Sequence, residues 1–496
     1  MKEVVVPRGW SVATVMNIAT ASGGGTPPKS DPSYWTDGSI PWVSPKDMKV
    51  FVIDATEDTV TTKALDRLTE IPKGSVLVVV RSGILARTLP VAINKTPVTI
   101  NQDMRAFVPA SGVNSRFLAW QLIAKEREIL DRCSKDGTTV ASIEGPALAA
   151  YPLMVAPSKE QNRITEKLEE LLSDLDAGVA ELKAAQRKLA QYRQSLLKAA
   201  VEGVLTADWR AASAGEPQET GADLLQRILT ERRARWEAKQ LAKYAEQGKT
   251  PPEGWQAKYP EPTEPSHEND LALPPSWAWA TVDQISIAQK YGSSSKTSED
   301  AGVPVLRMGN IQYGRLDLNN LKYLPKDHQE FPDLLLEDGD LLFNRTNSPE
   351  LVGKTAVYRS EITPCSYASY LIGVKLTPSC SPEFLSAFIN SAYGRAWIKE
   401  VVTQQVGQAN VNGSKLAALT VPLPPHDEQQ EIISRLDDQL RASFHEQAMI
   451  ERGLEQAAAQ RKTSSKPPSP ASWYHRTLTT SPPARYWSAS APSAQR

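Results

Sequence analysis

The chain has 496 residues, and its 56 lysines and arginines nearly balance 57 aspartates and glutamates. This length favours more than one domain, at roughly 150 residues each, and the net charge of −1 excludes a polycation while allowing a local basic face that binds nucleic acid. We expect no membrane span and no signal peptide, because no apolar run is long enough, and three widely spaced cysteines with scattered histidines favour a cytoplasmic protein with reduced thiols and no zinc site.

The first module, predicted over residues 1–157, has an α/β pattern. Glycine and proline punctuate its loops, β-branched runs are typical of buried strands, and one apolar stretch has helical spacing. The predicted elements are a loop at 22–28, strands at Ile40–Val43 and Val76–Val80, and a helix at Phe117–Ile123.

A long helix is predicted next, over 158–205. Leucine recurs at every seventh position with charged and polar residues between, which is a strong coiled-coil signal. Gly178 is the weak point of this helix, costing roughly 1 kcal/mol relative to alanine. The leucines expected to pack are Leu168, Leu175, Leu182, Leu189 and Leu196.

Residues 206–270 connect this helix to the second half of the chain. Asp223 to Ala245 is polar and helix-prone, and proline-studded residues 248–269 predict an extended linker.

The second module, predicted over 271–426, repeats the order of elements of the first. A second long helix is predicted over 427–462, and its apolar stripe is interrupted at Ser443 and Gln447. The two stripes can pair, so the predicted fold is α/β (α+β): two similar domains separated by long helices that form an antiparallel coiled-coil arm. The packing residues on the second helix are Ile433, Leu436, Leu440 and Leu454.

Sequence anchors show that the second half duplicates the first. Trp10–Val15 returns as Trp277–Val282, and Ala185–Lys188 returns as Ala459–Lys462. The spacing is far longer than the roughly 20–50 residues of solenoid repeats. A repeated order of motifs with divergent sequence between them suggests two similar modules that each recognise a different target.

The tail at 463–496 departs from this duplication. Where the first copy continues with Ser195–Leu205, the second continues with Thr463–Pro468, and no acidic residue follows Arg461. We hypothesise a frameshift after Lys462; the alternative is a genuine disordered extension. Sequencing the gene through this codon distinguishes them, because a frameshift leaves a Leu-Leu-Lys-Ala-Ala-like run hidden in another frame.

The chain carries few traces of catalysis. Gly353–Thr355 resembles the end of a phosphate-binding loop, but Ser348 stands where the first glycine belongs and the following residues predict a strand. Such a loop needs a helix N-terminus at the phosphates, so we expect no nucleotide site. Motifs of amino-methyltransferases, zinc proteases and serine hydrolases are also missing, which lowers the odds of an enzyme.

Loops that follow the buried strands hold the candidate DNA contacts. Arginine can bridge guanine O6 and N7, and asparagine can bridge adenine N6 and N7. The alternative is ordinary, because these residue types are also common in turns and on solvated surfaces. The candidates are Arg81, Ser82 and Arg87 in the first module, and Lys290, Tyr291, Asn344, Arg345, Thr346 and Asn347 in the second.

Several motifs in fixed order carry a family resemblance. Over about residues 1–460 the chain resembles the specificity subunit of type I restriction-modification systems. The motifs are Pro7–Trp10, Leu196–Gly203, Val303–Ile311, Val421–Pro425 and Glu428–Ile432.

The resemblance implies two target-recognition domains, each reading half of a split site in double-stranded DNA. It further implies that the helices dock two methyltransferase subunits, that restriction subunits join the complex, and that no membrane is involved. Partner chains would bind S-adenosylmethionine, ATP and magnesium, so this chain would be non-catalytic and bind no cofactor. Two alternatives stay open: an unrecognised single-chain DNA-modifying enzyme, and a coiled-coil scaffold that binds no DNA.

Overall fold

The computed structural model describes residues 6–135, 140–213, 219–265, 271–299, 301–349, 351–405 and 408–464. Contacts divide the chain into two compact units. One contains the described residues up to Lys183 and those from Glu451, and the other spans Ala184–Ile450. Each unit therefore holds one module (module 1 before residue 158, module 2 at 271–426) and part of both long helices.

Module 1 is a mixed α/β domain. Its strands are β1 (Ser11–Thr14), β2 (Ala19–Gly23), β3 (Ile40–Val43), β4 (Val52–Ile53), β5 (Asp58–Val60), β6 (Val76–Val79), β7 (Val91–Asn94), β8 (Thr99–Ile100), β9 (Met104–Pro109) and β10 (Pro152–Val155). Its helices are α1 (Val15–Ile18), α2 (Ser115–Ala124), α3 (Glu126–Cys133) and α4 (Gly145–Ala149).

Three sheets organise module 1. The largest has the order β2-β9-β6-β7-β4, a second has β5-β3-β8, and β1 pairs with β10. All neighbours are antiparallel except β4 with β7 and β3 with β8. The β-branched run of β6 is fully buried at the centre of the large sheet, and Leu118 and Leu122 of α2 join its core.

The predicted loop at 22–28 begins later than expected. Ser22 and Gly23 continue β2, where they pair with Ala106 and Arg105. The loop starts at Gly24. A Cβ at this position would lie 2.2 Å from the backbone oxygens of Ile100 and Asn101, so only glycine fits here. The prediction was wrong for the first two residues, because glycine at a sheet edge marks close backbone approach as well as a turn.

A helical segment follows module 1. The long helix α5 (Ser158–Val201) stops just before Gly203, whose φ of +71° is the left-handed conformation that ends helices. Two further helices follow, α6 (Ala207–Ala212) and α7 (Gly221–Glu246).

Module 2 repeats the architecture with different loops. Its strands are β11 (Ala278–Thr281), β12 (Ser286–Tyr291), β13 (Val303–Leu306), β14 (Ile311–Gln312), β15 (Arg315–Leu316), β16 (Lys322–Leu324), β17 (Leu341–Asn344), β18 (Thr346–Asn347), β19 (Thr355–Val357), β20 (Ser366–Tyr367), β21 (Leu371–Leu376), β22 (Thr403–Gln405), β23 (Gln408–Asn410) and β24 (Thr420–Leu423). Its helices are α8 (Val282–Ile285), α9 (Pro382–Asn390), α10 (Ala392–Val401) and α11 (Gly413–Ala417), and the second long helix is α12 (His426–Ser464).

The sheets of the two modules correspond, except that the edge strand β4 of module 1 has no counterpart among the described strands of module 2. In module 2 the orders are β12-β21-β17-β19, β16-β13-β20 and β11-β24. The inner strand β17 is fully buried, like β6. The structure adds a β14-β15 hairpin and a small β18-β23-β22 sheet to module 2. The duplication predicted from sequence is thus a duplication of fold.

A buried glutamine near the start of each long helix makes the same hydrogen bonds in both modules. Gln161 accepts from the backbone N–H of Asn114 at 2.8 Å, and Gln429 accepts from that of Ser381 at 2.7 Å. Each also donates its Nε2 to a backbone carbonyl just before its helix, at 2.8 and 2.9 Å. The hydrogen bonds that join each module to its long helix are therefore the same in both halves of the chain.

Contacts within each unit show that α5 and α12 run antiparallel there. In one unit Gly453 lies against Leu182, and Arg461 pairs with Asp176. In the other, Ser443 accepts from Arg193, and Arg435 donates to the carbonyl of Leu205 just beyond α5. Residue numbers fall along one helix as they rise along the other, as the predicted arm requires. The predicted packing leucines and isoleucines are all buried or half-buried: Leu168, Leu175, Leu182, Leu189, Leu196, Ile433, Leu436, Leu440 and Leu454.

The interruption of the second stripe has a structural cause in Arg193, which is only 8% exposed. Its Nε donates to Ser443 Oγ at 2.7 Å, its Nη2 donates to the Ser443 carbonyl at 3.0 Å, and its Nη1 donates to Gln447. Its guanidinium also lies 4.2 Å from the ring centroid of Phe444. The two polar positions are therefore acceptors for a buried arginine of the other helix.

The connector packs on module 2. Leu224 and Ile228 of α7 are fully buried in the core that contains β11 and β24. The proline-studded stretch also folds back, because Trp255 stacks on Trp236 at 5.8 Å. The prediction of an extended linker was wrong at this point. It was based on the number of prolines, which does not take into account that aromatic side chains can pair and fold the segment back.

The predicted boundaries of the second long helix and the tail were 427–462 and 463–496. The helix is described to Ser464, a difference of one or two residues at each end that is ordinary for helix termini. The rest of the predicted out-of-frame tail lies outside the described residues.

Candidate nucleic-acid interface

Both modules place an arginine within two residues of the end of corresponding inner strands. Arg81 follows β6 and Arg345 follows β17. The backbone N–H of Arg81 donates to the Asp103 carbonyl at 3.2 Å, and that of Arg345 donates to the Tyr370 carbonyl at 2.9 Å. In both cases the accepting residue immediately precedes the neighbouring strand. The Asp103 carbonyl also accepts from the Val80 N–H at 2.8 Å, so the strand register matches Arg345 with Val80 and places Arg81 one residue further along.

The environment of Arg81 is acidic. Its Nε donates to Asp103 Oδ1 at 2.6 Å, and 57% of its side chain is exposed. Ser82 caps the following turn by accepting from the Ile84 N–H at 3.4 Å, and Arg87 at the end of that turn is exposed. A ligand must therefore compete with a carboxylate for Arg81, while the rest of the guanidinium is accessible.

The environment of Arg345 is aromatic. Its guanidinium lies 4.8 Å from the ring centroid of Tyr291, and its Nη1 donates to the Ser369 carbonyl at 3.2 Å. Its Nε is enclosed without a hydrogen-bond partner among the described residues. Tyr291 is fixed in turn, because its hydroxyl accepts from the Gly413 N–H at 2.7 Å. Stacking holds this guanidinium as a flat, oriented donor.

The predicted reading loop at 344–347 differs from expectation. Asn344 is fully buried and donates to the Leu351 carbonyl at 3.3 Å, and the nearly buried Thr346 accepts from Asn410 at 2.8 Å. The chain stays extended here, so alternate side chains face inward. Arg345 and Asn347 remain partly exposed, and this arrangement does not present Asn344 to a base edge.

Lys290 is exposed at the end of β12, next to Tyr291, and its Nζ donates to the Asp333 carbonyl at 3.1 Å. The structure thus joins Tyr291 and Arg345 directly, and it joins Arg81 and Ser82 through one turn. It shows no direct contact of Lys290 or Arg87 with these arginines among the described residues.

Sequence reasoning missed three residues at these sites: Asp103, Tyr370 and Arg193. Asp103 and Tyr370 lie in matching positions before β9 and β21, and Tyr370 is exposed. Local sequence gave no signal for them, because strand pairing across many residues brings them to the arginines. Arg193 was signalled indirectly, by two polar residues in an otherwise apolar stripe.

Features of other functional classes are lacking in the described part of the chain. Thr355 begins strand β19, as predicted, so Gly353–Thr355 does not open a helix. Among the described residues there is no group of three or more metal-binding side chains. None of the helices in the described ranges is long and apolar enough to cross a membrane.

Comparison with known proteins identifies the family. The family model of the type I restriction modification DNA specificity domain matches residues 7–184 and 279–452, more than half of the chain. The EcoR124I/EcoR124II specificity subunit of Escherichia coli is 37% identical over 189 residues, which span 37% of this chain and 47% of that relative. The EcoKI specificity subunit of Escherichia coli K12 is 25% identical over 442 residues, spanning 87% of this chain and 82% of that relative.

Solved structures share the fold. A chain from a study of assembly and conformational transition in a type I R-M system aligns with a TM-score of 0.57 at 15% identity, covering 93% of this chain and 97% of the other. The HsdS subunit from Thermoanaerobacter tengcongensis aligns with a TM-score of 0.50 at 15% identity, covering 94% and 98%. The chain therefore belongs to the family of type I restriction-modification specificity subunits and carries the DNA specificity domain of that family twice.

Proposed function

We propose that this chain binds double-stranded DNA in a sequence-specific manner, with each module reading one half of a bipartite site. The arm of α5 and α12 sets the separation of the two readers. The same helices dock two methyltransferase subunits, and restriction subunits join that complex.

The observation that carries this proposal is one frame holding two chemically different surfaces. Matching strand ends carry Arg81 beside a carboxylate and Arg345, one position earlier in the shared register, beside a tyrosine ring. A protein that recognises two unlike half-sites needs such a repeated frame with different contacts at its strand ends. Packing alone does not require an exposed arginine near both strand ends.

The proposed contacts follow from the geometry of the donors. A stacked guanidinium such as Arg345 is pre-oriented for the two acceptors of guanine in the major groove. Lys290 and Arg87 are single exposed cations, better suited to phosphates, which position a protein without specifying sequence. Joining two moderate readers through an arm raises the overall affinity through effective concentration.

We infer that the chain is non-catalytic and binds no cofactor. S-adenosylmethionine, ATP and magnesium would belong to the partner chains that transfer methyl groups and cleave. The absence of a recognisable catalytic motif in the sequence supports this division of roles.

A methylome tests the proposal. The chain would be expressed with its neighbouring methyltransferase subunit in a host free of DNA methylation, and the modified adenines would be mapped by sequencing. We expect a bipartite motif. If no motif appears with the native chain but one appears after the frame beyond Lys462 is restored, the proposed specificity function is supported and residues 463–496 impair it. If neither protein directs methylation to a motif, the proposal is contradicted and the coiled-coil scaffold is favoured.

A further inference from the structure

The start of module 2 is covered by the segment that links the two halves. Trp277 packs edge-on against Phe384, with ring centroids 5.8 Å apart, and its Nε1 donates to Glu428 Oε2 at 2.8 Å. Glu428 is only 1% exposed, and its other oxygen accepts from Thr206 at 2.7 Å and pairs with Arg210. A buried carboxylate thus ties the tryptophan to the chain that follows α5.

We name residues 196–232 the connector segment. Its turn fits closely, because a Cβ on Gly203 would lie 2.7 Å from Pro274 and 3.1 Å from Trp277. Further along, Leu224 and Ile228 fill the core beside β11. Arg232 closes the contact by pairing with Asp283 at 2.9 Å. The connector segment therefore supplies an apolar helix end, a tight turn, an arginine for Glu428 and an amphipathic helix.

Module 1 has the same starting arrangement without the same cover. Trp10 packs edge-on against Phe117 at 6.2 Å, as Trp277 does against Phe384. Yet Trp10 Nε1 is enclosed and has no hydrogen-bond partner among the described residues. The counterpart of Glu428 is Glu160, which is partly exposed. An enclosed indole N–H without an acceptor is costly, so the position is suited to a donor-acceptor network that the described chain does not complete.

Apolar side chains next to Trp10 are also uncovered. Val12 is 55% exposed and Met16 is 47% exposed. Their counterparts in module 2 are Trp279, which is half-buried, and Asp283, which holds Arg232. The exposed patch of module 1 therefore coincides with the surface that the connector segment covers in module 2.

We propose that the entry face of module 1, formed by Trp10, Val12, Met16 and Glu160, docks a partner polypeptide with the chemistry of the connector segment. The partner contributes an arginine to Glu160 and an amphipathic helix to the two exposed apolar side chains. Residues 463–496 do not repeat the Leu196–Arg210 pattern, so they are not the proposed occupant. Module 2, with its own segment seated on the matching surface, provides the template.

A labelled peptide tests this docking. A fluorescein-labelled peptide of residues 196–232 would be titrated into the full-length protein and followed by fluorescence anisotropy. We expect one-to-one binding with a dissociation constant in the micromolar range. Glu160→Gln should weaken binding at least ~10-fold, because a charge-assisted hydrogen bond is lost. Arg210→Ala in the peptide should weaken it similarly, with little further effect on the Glu160→Gln protein.

Charge on the face provides a second comparison. The double variant Val12→Glu, Met16→Glu should abolish binding, whereas Val50→Glu, at a 53% exposed position of module 1 outside the face, should leave it unchanged. Binding that survives both the Glu160→Gln and the double variant would contradict the proposal, since exchange at module 2 would give that result.

A fusion keeps the test independent of how the isolated peptide folds. Residues 463–496 would be replaced by a copy of residues 189–232, which supplies the occupant on the same chain. We expect the melting temperature to rise, and Glu160→Gln to remove most of that rise. An unchanged melting temperature together with no peptide binding would overturn the docking site. Neither readout involves DNA, so failure here leaves the proposed specificity function untouched.

Discussion

The two arginines that follow β6 and β17 show how similar strand ends can carry different chemistry. Asp103 engages Arg81, so a DNA ligand would have to displace a carboxylate, whereas Tyr291 orients Arg345 without neutralising it. Displacing an exposed ion pair costs little, because such pairs contribute about 0–1 kcal/mol. We therefore expect both arginines to read bases, with Arg345 contributing more.

Arg345→Ala should weaken binding roughly 5–150-fold, since one bidentate contact to guanine is worth about 1–3 kcal/mol. The loss should shrink when the contacted bases are changed in one half of the recognised site, and it should be additive with changes in the other half. Titration of the methyltransferase-bound protein with duplexes altered in each half would measure this. Arg87→Ala is the matched control. It should lose less affinity than Arg345→Ala, and this loss should diminish as the salt concentration rises. Equal effects on both halves would contradict the assignment.

The three cysteines should be unreactive in the folded protein. Burial raises the pKa of Cys365 to about 12 and that of Cys380 to about 11, and it also raises the pKa of Cys133. A raised thiol pKa means that the thiolate is scarce below it, roughly one part in a thousand for Cys380 at pH 8. Thiol labelling at pH 8 should be slow for the native protein and complete in denaturant. Ser294→Cys, at an exposed position, should label at once, and rapid labelling of the native thiols would refute their burial.

At the scale of elements, the arm combines a predictable seam with an unpredicted polar contact. The heptad leucines indicated both long helices, because period and length are properties of the local sequence. The Arg193 network was not predictable, since its acceptors lie on a helix some 250 positions away along the chain. Buried polar groups of this kind serve most clearly to fix the register of paired helices.

Arg193→Ala should destabilise the protein by about 1–3 kcal/mol, because buried acceptors on Ser443 and Gln447 lose their donor. The triple variant Arg193→Leu, Ser443→Ala, Gln447→Leu should recover that loss, since apolar packing replaces the network. Thermal unfolding would measure both variants. If the triple variant is less stable than Arg193→Ala, the network stabilises the protein by more than the hydrogen bonding of its own buried polar groups.

Two glycines in the arm form a matched pair. A Cβ at Gly178 would meet nothing within 4 Å, whereas one at Gly453 would lie 3.1 Å from Leu182. Gly178→Ala should therefore stabilise the protein by about 1 kcal/mol, the difference in helix propensity, and Gly453→Ala should gain less. Denaturant unfolding of the two variants would decide, and a larger gain at Gly453 would contradict the close packing of Leu182.

The strands of each module were partly predictable for the same reason as the helices. Val76–Val80 and Leu341–Phe343 are short apolar runs bounded by turns, which is how buried strands read. The burial of Asn344 and the packing of Leu224 and Ile228 could not be predicted from the sequence. These residues lie among polar neighbours, and only tertiary contacts bury them. The candidate contacts therefore stay predictions, and at the end of β17 Asn344 and Thr346 are buried and do not face outward.

At the scale of the whole molecule, the duplication predicts that modules are interchangeable. A chain in which residues 271–425 are replaced by a second copy of 1–157 should direct methylation to two identical half-sites. The expectation follows because corresponding strands and hydrogen bonds place both modules on their helices alike. The methylome of the exchanged chain would be compared with that of the native chain. A motif that keeps two unlike halves would show that specificity lies outside the modules.

The glutamine contacts at the start of each long helix have an evolutionary consequence. Gln161 and Gln429 bind backbone groups of their modules, so these contacts of the junction do not depend on which side chains the neighbouring module carries. Genetic exchange at the junction can then deliver a foreign module onto an unchanged support. If the modules read DNA as proposed, a single recombination event would then change the recognised sequence without a compensating change in the junction between module and helix.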